Sequence, residues 1–318
     1  MRKITSHSIS GSGVHIMFLL LFLISASAFR SGDNDFSITI DNLEVKLDRF
    51  SSFVLPGDTI YITLNNSTDN FDGLFSTGKL ITDDKRNWRF ISPEKPGFYE
   101  LEIFNTTQTH RFTLNVFVMS PASEQDGEYL NGYRIGNYPE KAFRDLPEYV
   151  KPEGFIEITK SNEDVFVSPH FQIKQFICKQ QPDHWPKYIL IRPQILLKLE
   201  LLLAKLNETG IEAKTLFLMS GYRTPYYNAS IGNGQYSRHI YGDATDVYVD
   251  NNNDEVIDDL NKDNKASMLD AEVIYNIVDA FDNDPNYTFL IGGLGKYKKT
   301  NSHTWNVHLD TRGYKARW

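Results

Sequence analysis

The sequence predicts an α+β protein, with a β-sandwich in its N-terminal half and a mixed α+β domain in its C-terminal half. Between residues 36 and 118, apolar residues alternate with polar ones in short runs, whereas a leucine-rich stretch with helical spacing begins at Ile189. The chain has 318 residues, more than the roughly 100–200 residues of a usual single domain. Two domains are therefore expected.

Composition excludes one large class of function. The formal net charge is -8 and no basic stripe is present, which argues against a nucleic-acid-binding protein because phosphates must be neutralised by positive charge. Cys178 is the only cysteine, so an intramolecular disulfide cannot form. We interpret it as a buried, small apolar residue.

Residues 1–28 have the order of a secretory signal. Arg2 and Lys3 precede an apolar run from Met17 to Ile24, which ends in the small residues Ala26-Ser27-Ala28. The run is shorter than the roughly 20 apolar residues of a membrane span, so cleavage is expected. The alternative is an uncleaved leader that tethers the protein to a membrane. Both alternatives place the later domains outside the cytoplasm.

Residues 35–120 are predicted to form an Ig-like β-sandwich. Turn signals such as Pro56-Gly57-Asp58 separate the alternating runs, as expected for antiparallel strands with one buried face. Trp88 is expected in the core, and His110 is expected to be structural. The alternating runs are Phe36-Ile38-Ile40, Ile60-Ile62-Leu64, Tyr99-Leu101-Ile103 and Phe112-Leu114-Val116-Val118.

A connector at residues 121–165, with scattered proline and glycine, is predicted to lead into a domain at residues 166–318. In that domain, the leucine spacing predicts a core helix over Ile189–Leu206 that stops at Gly210, and a strand at Thr215–Met219. A second helix is predicted from Ser267.

Two segments of this domain carry metal-ligand chemistry. His239 and Asp246 stand seven residues apart across Gly242, and His308 arrives later within a strand-like run. Two imidazoles and one carboxylate suit a catalytic zinc ion, which keeps its fourth position for water or substrate. Gly292, Gly293 and Gly295 lack the lysine and the helix of a phosphate loop and are expected to allow a close approach beside the metal site.

Three strings extend this pattern: SGYRTPYYN (Ser220 to Asn228), SRHIYGDATD (Ser237 to Asp246) and HLDTRGY (His308 to Tyr314). Together they resemble the zinc D-Ala-D-Ala carboxypeptidases of the lysostaphin/D-Ala-D-Ala/hedgehog-type metallopeptidases, over about residues 167–318. The resemblance implies that His239, Asp246 and His308 bind zinc. It further implies a hedgehog/D-Ala-D-Ala-peptidase-like fold and peptidoglycan stem peptides as the substrate, in the periplasm or cell envelope of a bacterium.

The resemblance also assigns substrate-side residues. Arg223 matches an arginine that assists substrate or transition-state binding, and Tyr222 and Ser237 lie in the same two motifs and are predicted to bind substrate. Arg223 could equally form a structural salt bridge. Zinc would polarise the scissile carbonyl and acidify a water molecule, and Arg223 would pair with a carboxylate or the developing oxyanion.

The general base is where the sequence departs from the family. Relatives place glutamate three residues before the late ligand or histidine two residues before it, and this chain has Trp305 and Asn306 there. His303 is the preferred substitute, because an imidazole suits proton transfer near neutral pH. Asp310 is the second candidate, with an orienting role beside the metal ligand as its alternative.

An acidic stretch after Asp246 predicts calcium binding. Oxygen-bearing side chains recur at alternate positions in two overlapping frames, although neither frame has glycine at its sixth position. A solvated acidic loop is the alternative. The first frame comprises Asp250, Asn252, Asp254 and Asp258, and the second comprises Asp259, Asn261, Asp263 and Asp270.

Three functions are consistent with the sequence. The first is a zinc peptidase of the carboxypeptidase or endopeptidase type that acts on peptidoglycan stem peptides. The second is a noncatalytic, zinc-containing cell-wall-binding protein, because the usual base is missing beside His308. In the third, the β-sandwich is the main functional unit and serves adhesion or partner docking.

Overall fold

The computed structural model describes residues 37–66, 69–82 and 84–318. The predicted signal segment and Phe36 therefore lie outside the described residues. Among the described residues, nine strands form the N-terminal part. They are β1 (Ser37–Ile40), β2 (Leu43–Val45), β3 (Arg49–Val54), β4 (Thr59–Asn65), β5 (Phe71–Phe75), β6 (Lys79–Thr82), β7 (Asn87–Ile91), β8 (Gly97–Asn105) and β9 (Arg111–Val118).

These strands make two sheets, one in the order β2-β1-β4-β7-β6 and one in the order β3-β9-β8-β5. All pairs are antiparallel except β3 with β9. The alternating apolar positions of both sheets point into one hydrophobic cluster that contains Trp88, as predicted. The two sheets follow from the alternation in the sequence, and the Ig-like arrangement remains a prediction.

The segment predicted as a connector contains more regular structure than expected. Its pieces are β10 (Ser120–Pro121), β11 (Tyr129–Leu130), β12 (Tyr133–Arg134) and β13 (Gly154–Ile158). Tyr133, Tyr138 and Tyr149 pack with Ile240 and Tyr241 in a second hydrophobic cluster. Much of the connector is therefore packed on the domain that follows it.

Three further strands precede the long helix: β14 (Phe166–Ser168), β15 (Phe171–Gln172) and β16 (Lys187–Ile189). Strand β14 joins the two halves of the protein, because two side chains of the N-terminal sheet donate hydrogen bonds to its backbone. Ser51 Oγ donates to the Val167 carbonyl (2.8 Å), and Asn115 Nδ2 donates to the Phe166 carbonyl (2.5 Å).

The metal-binding motifs lie on the C-terminal sheet, whose strand order is β17-β18-β20-β19-β21. Its strands are β17 (Phe217–Ser220), β18 (Ala244–Tyr248), β19 (Gly293–Tyr297), β20 (Asn306–Asp310) and β21 (Ala316–Arg317). The α-helices are α1 (Pro193–Glu208), α2 (Pro225–Ser230) and α3 (Met268–Asp282). Short 3-10 helices span Ala122–Glu124, Phe143–Asp145, Pro147–Tyr149, Ile173–Phe176, Arg238–Tyr241 and Pro285–Leu290.

The two predicted helices are present with shifted ends. Helix α1 begins at Pro193, which has no N–H to leave unpaired, and the chain turns at Gly210 with a φ of +81°. Helix α3 begins after Ser267, whose side chain forms a reciprocal capping box with Asp270. Helix α3 packs against α1, β19 and β20. Among the described residues, every helix is too short or too polar to cross a membrane.

Candidate metal centre

His239, Asp246 and His308 converge on one point, as predicted. His239 Nε2 is 3.2 Å from His308 Nδ1, and Asp246 Oδ1 is 2.9 Å from His308 Nδ1 and 3.3 Å from His239 Nε2. All three side chains are buried. Within the described ranges, no other group of three His, Cys, Asp or Glu side chains is gathered closely enough to hold a metal ion.

The atoms that face away from this point are held by the protein. His239 Nδ1 lies 2.8 Å from the Gly221 carbonyl, and His308 Nε2 lies 3.1 Å from Asp310 Oδ2. Both partners are acceptors, so each ring can keep a proton on its outer nitrogen while its inner nitrogen binds an ion. The inner nitrogens, His239 Nε2 and His308 Nδ1, are directed at the shared point, which is the arrangement that orients metal-binding histidines.

These residues fit zinc. Tetrahedral zinc with bonds of about 2.0–2.1 Å places neighbouring ligand atoms about 3.3 Å apart. The three separations of 2.9, 3.2 and 3.3 Å are close to that value, and two nitrogens with one carboxylate oxygen are the donors of a catalytic zinc site. His239, Asp246 and His308 are thus the residues that would hold the ion.

Burial and charge act in opposite directions on these groups. Burial alone would lower the pKa of His308, but its hydrogen bonds to Asp246 and Asp310 raise that pKa to about 9. Burial dominates at His239, whose pKa is lowered. The pKa of Asp246 is held well below its usual value, because the two imidazoles outweigh the effect of burial. Asp246 is therefore a carboxylate acceptor throughout the neutral range.

Strand register places the ligands in one row across the sheet. Ser220 on β17 is opposite Asp246 on β18, which is opposite His308 on β20, which in turn is opposite Gly295 on β19. Opposite residues in a sheet share a face, so all four residues face the centre. The glycine fits the predicted close approach, because a Cβ at Gly295 would lie 2.3 Å from Trp318 Nε1.

His239 reaches the row from the 3-10 helix Arg238–Tyr241. Gly242 ends this helix with a φ of +75°, and a Cβ there would lie 2.6 Å from the Leu190 backbone. Only glycine meets both conditions. Arg238 and Asp243 brace the turn as a buried ion pair, and Arg238 Nη1 also donates to the Glu148 carbonyl (3.0 Å). The sequence interpretation missed this pair, although both residues flank the predicted turn.

Arg223 lies against a predicted ligand. Its Nη2 donates to Asp246 Oδ2, and its Nε donates to Ser220 Oγ (2.6 Å). These bonds hold the outer oxygen of Asp246 and leave Oδ1 towards the imidazoles. Among the described residues, Arg223 Nη1 has no hydrogen-bond partner, so the side chain combines a structural salt bridge with a free donor. Both predicted roles remain compatible with this position.

Tyr222 and Ser237 are placed differently from each other. Tyr222 is fully buried, with its hydroxyl 3.0 Å from that of Tyr138, whose own hydroxyl donates to the Ile240 carbonyl. A substrate could not contact Tyr222 without displacing the connector, so we correct the substrate-binding prediction to a supporting role. Ser237 precedes the 3-10 helix of His239, and its side chain makes no capping hydrogen bond.

The two candidate bases are both engaged with protein groups. His303 Nδ1 lies 2.8 Å from the Thr304 carbonyl and 3.2 Å from Asn306 Nδ2. Asp310 is buried behind His308, and its oxygens accept from the Gly293 N–H and from Arg312. Burial would raise the pKa of Asp310, but the bonds from His308 and Arg312 hold it below its usual value. Asp310 therefore fits the orienting alternative and does not fit the general-base prediction.

The two frames predicted for calcium have the same local structure. Asp250 and Asn252 accept from the Asp254 N–H, and Asp259 and Asn261 accept from the Asp263 N–H. Two later members accept elsewhere: Asp258 from the Asn251 N–H, and buried Asp270 from the N–H groups of Leu260 and Ser267. Among the described residues, no three of these carboxylates gather around one point, so calcium binding stays a prediction.

The match to a known protein family lies within the C-terminal domain. The Peptidase M15 family model matches residues 169–275, a range that contains Arg223, His239 and Asp246 and ends before His308. No curated protein matches the chain.

Proposed function

We propose that this protein is a zinc peptidase that cleaves peptidoglycan stem peptides, because residues 169–275 match the model of the Peptidase M15 family, the zinc D-Ala-D-Ala carboxypeptidase-like family. The bond would be a D-Ala-D-Ala bond at the end of a stem or a cross-link between stems. We further propose that it acts outside the cytoplasm, in the periplasm or cell envelope of a bacterium, after export by its N-terminal segment.

One observation carries the proposal: three donor atoms lie 2.9–3.3 Å apart while the outer atom of each ligand is held by a separate partner. Such a preorganised set keeps its donor atoms in position before an ion binds. A bound zinc ion would supply Lewis acidity that polarises a peptide carbonyl and acidifies water. The protein's own side chains would bind the substrate and transfer the protons.

Arg223 is the group best placed to meet the substrate. Its Nη2 and Nε are committed to Asp246 and Ser220, which fixes the plane of the guanidinium. Nη1 then offers a donor beside the centre for a terminal carboxylate or for negative charge that develops on the carbonyl oxygen. His303 remains the proposed proton acceptor, because its Nδ1 contacts the Thr304 carbonyl and its Nε2 is left as the accepting nitrogen.

The same contacts support a second candidate, a noncatalytic wall-binding protein that keeps zinc for structure. The observation in its favour is that Asp310 is buried behind His308, which leaves His303, bonded to its own loop through Nδ1, as the remaining predicted base. Zinc binding alone therefore does not distinguish the two candidates.

Mass spectrometry of defined muropeptides incubated with the zinc-loaded protein separates them. Loss of a terminal D-Ala or splitting of a cross-link, absent with His308→Ala, would establish the peptidase and identify the bond. Unchanged muropeptides in the presence of one bound zinc ion per chain would favour the wall-binding protein.

A further inference from the structure

Two aromatic side chains stand beside His308 and take no part in holding the metal site. The Trp318 ring centroid is 5.1 Å from that of His308, and the Tyr297 ring meets the same imidazole edge-on at 6.5 Å. Trp318 Nε1 donates a hydrogen bond to the Tyr297 hydroxyl (3.0 Å). The two rings therefore form one unit, which we call the aromatic wall.

The backbone fixes the aromatic wall against the ligand row. Tyr297 follows Gly295 by two residues in β19 and shares its face of the sheet. The end of the chain runs beside β19, with the Trp318 N–H bonded to the Leu294 carbonyl and the Lys296 N–H bonded to the Trp318 carbonyl. Gly295 is the residue opposite His308 in the sheet. Because Gly295 has no side chain, there is room beside it for the Trp318 indole.

The wall is open to solvent although the ligands are buried. Trp318 is 47% exposed and Tyr297 is 38% exposed, whereas His308 is 5% exposed. The Tyr297 hydroxyl already accepts from Trp318, and within the described part of the chain its proton has no acceptor. An oriented donor and a large apolar surface thus stand beside His308 and are open to solvent. Polar groups of this kind fix the orientation of a bound molecule in an otherwise apolar site.

We propose that the aromatic wall is the peptide-contacting side of the centre, with Tyr297 donating a hydrogen bond to a carbonyl of the substrate backbone and Trp318 positioning that hydroxyl. This inference rests on the proposed function, because it assumes a peptide substrate. It adds a substrate-binding residue and a positioning residue that the sequence motifs do not contain.

Calorimetric binding of a defined muropeptide to metal-free protein tests the wall without turnover. The variants are Tyr297→Phe, Trp318→Phe and the double substitution, with Tyr61→Phe as the control, since Tyr61 is an exposed tyrosine of the N-terminal sheet. Loss of one neutral hydrogen bond should raise the Kd about fivefold in Tyr297→Phe. Trp318→Phe should raise it less, and the double variant should match Tyr297→Phe because its hydrogen bond is already lost.

The outcomes separate this inference from the proposed function. A Kd unchanged by Tyr297→Phe, a double variant whose effects add, or no binding by the metal-free wild type would each overturn the inference. Cleavage by the zinc-loaded wild type is scored separately. Binding that depends on Tyr297 without any cleavage would reject the peptidase and keep the peptide-contacting wall. Zinc affinity should be the same in Tyr297→Phe and the wild type.

Discussion

Asp310 lies directly behind His308, two residues further along β20, and its Oδ2 accepts from the His308 Nε2 at 3.1 Å. The carboxylate is itself held by Arg312 and by the Gly293 N–H. It therefore fixes both the tautomer and the plane of the imidazole.

Replacing Asp310 should weaken zinc binding. Asp310→Asn keeps the shape but loses the charge that holds the Nε2 proton, and changes of this kind typically cost about 10–100-fold in metal affinity. Competition with a chelator measures the zinc Kd. Asp164→Asn, at an exposed ion pair with Lys174, is the matched control. Equal Kd values in the two variants would contradict the orienting role.

Replacing Arg223 should slow turnover even when the new side chain is also positively charged. Arg223→Lys cannot reach Ser220 and Asp246 while also presenting a third donor, because it lacks the planar fork. We expect kcat/KM for muropeptide cleavage to fall about 100-fold, the usual cost of losing an oriented donor to developing charge. Lys174→Arg, at an exposed ion pair, should leave it unchanged. Normal turnover in Arg223→Lys would restrict Arg223 to a structural role.

Gly242 should tolerate no side chain. Gly242→Ala would combine a left-handed residue, which costs about 1–2 kcal/mol, with a Cβ 2.6 Å from the Leu190 backbone, which adds about 1–3 kcal/mol. Gly210→Ala has a similar φ of +81° and nothing within 4 Å, so it isolates the first cost. Thermal unfolding should show the larger loss of Tm in Gly242→Ala, and equal losses would mean that the crowding at Leu190 is relieved cheaply.

Stability should depend on pH through His170. The hydrogen bond to buried Glu200 raises the pKa of His170, and the charge of Asp48 adds to this. A raised folded pKa means that the protonated pair stabilises the fold below about pH 6.5, the unfolded value, and that this contribution is lost as pH rises through the folded pKa. His170→Gln should therefore lower the Tm more at about pH 5.5 than at about pH 8.5. An equal loss of Tm at the two pH values would contradict this linkage.

Calcium binding to the second acidic frame is testable apart from zinc. Binding would require Asp259, Asn261 and Asp263 to exchange their N–H partners for the ion. Calorimetry at millimolar calcium, with Asp263→Asn for comparison, measures the affinity. The absence of heat in the wild type would leave the stretch as a solvated acidic loop.

The sequence predicted what depends on local pattern. Alternation located β1, β4, β8 and β9, and leucine spacing located α1. The motifs that resemble the zinc D-Ala-D-Ala carboxypeptidases located the metal centre at His239, Asp246 and His308. The strand Gly154–Ile158 was missed because five residues within a proline-bearing segment give little periodicity.

Contacts between distant residues were beyond the sequence. Lys198 lies in the leucine-rich helix, yet it is buried and paired with Asp282, 84 positions away. Nothing in either neighbourhood reveals the other partner. The aromatic wall is similar, because Trp318 approaches Tyr297 only after β21 pairs with β19.

Ser220, Asp246, His308 and Gly295 lie in one row across the sheet, so the metal centre forms only when the strands pair in this register. Successive residues in a strand face opposite sides, so a slip of one position between β18 and β20 would turn His308 away from Asp246. An ion that needs both ligands would then bind only the correctly aligned sheet. Zinc added during refolding should therefore increase the fraction of molecules with the native strand pairing. Zinc lowers the free energy of that pairing and does not lower the free energy of any shifted pairing.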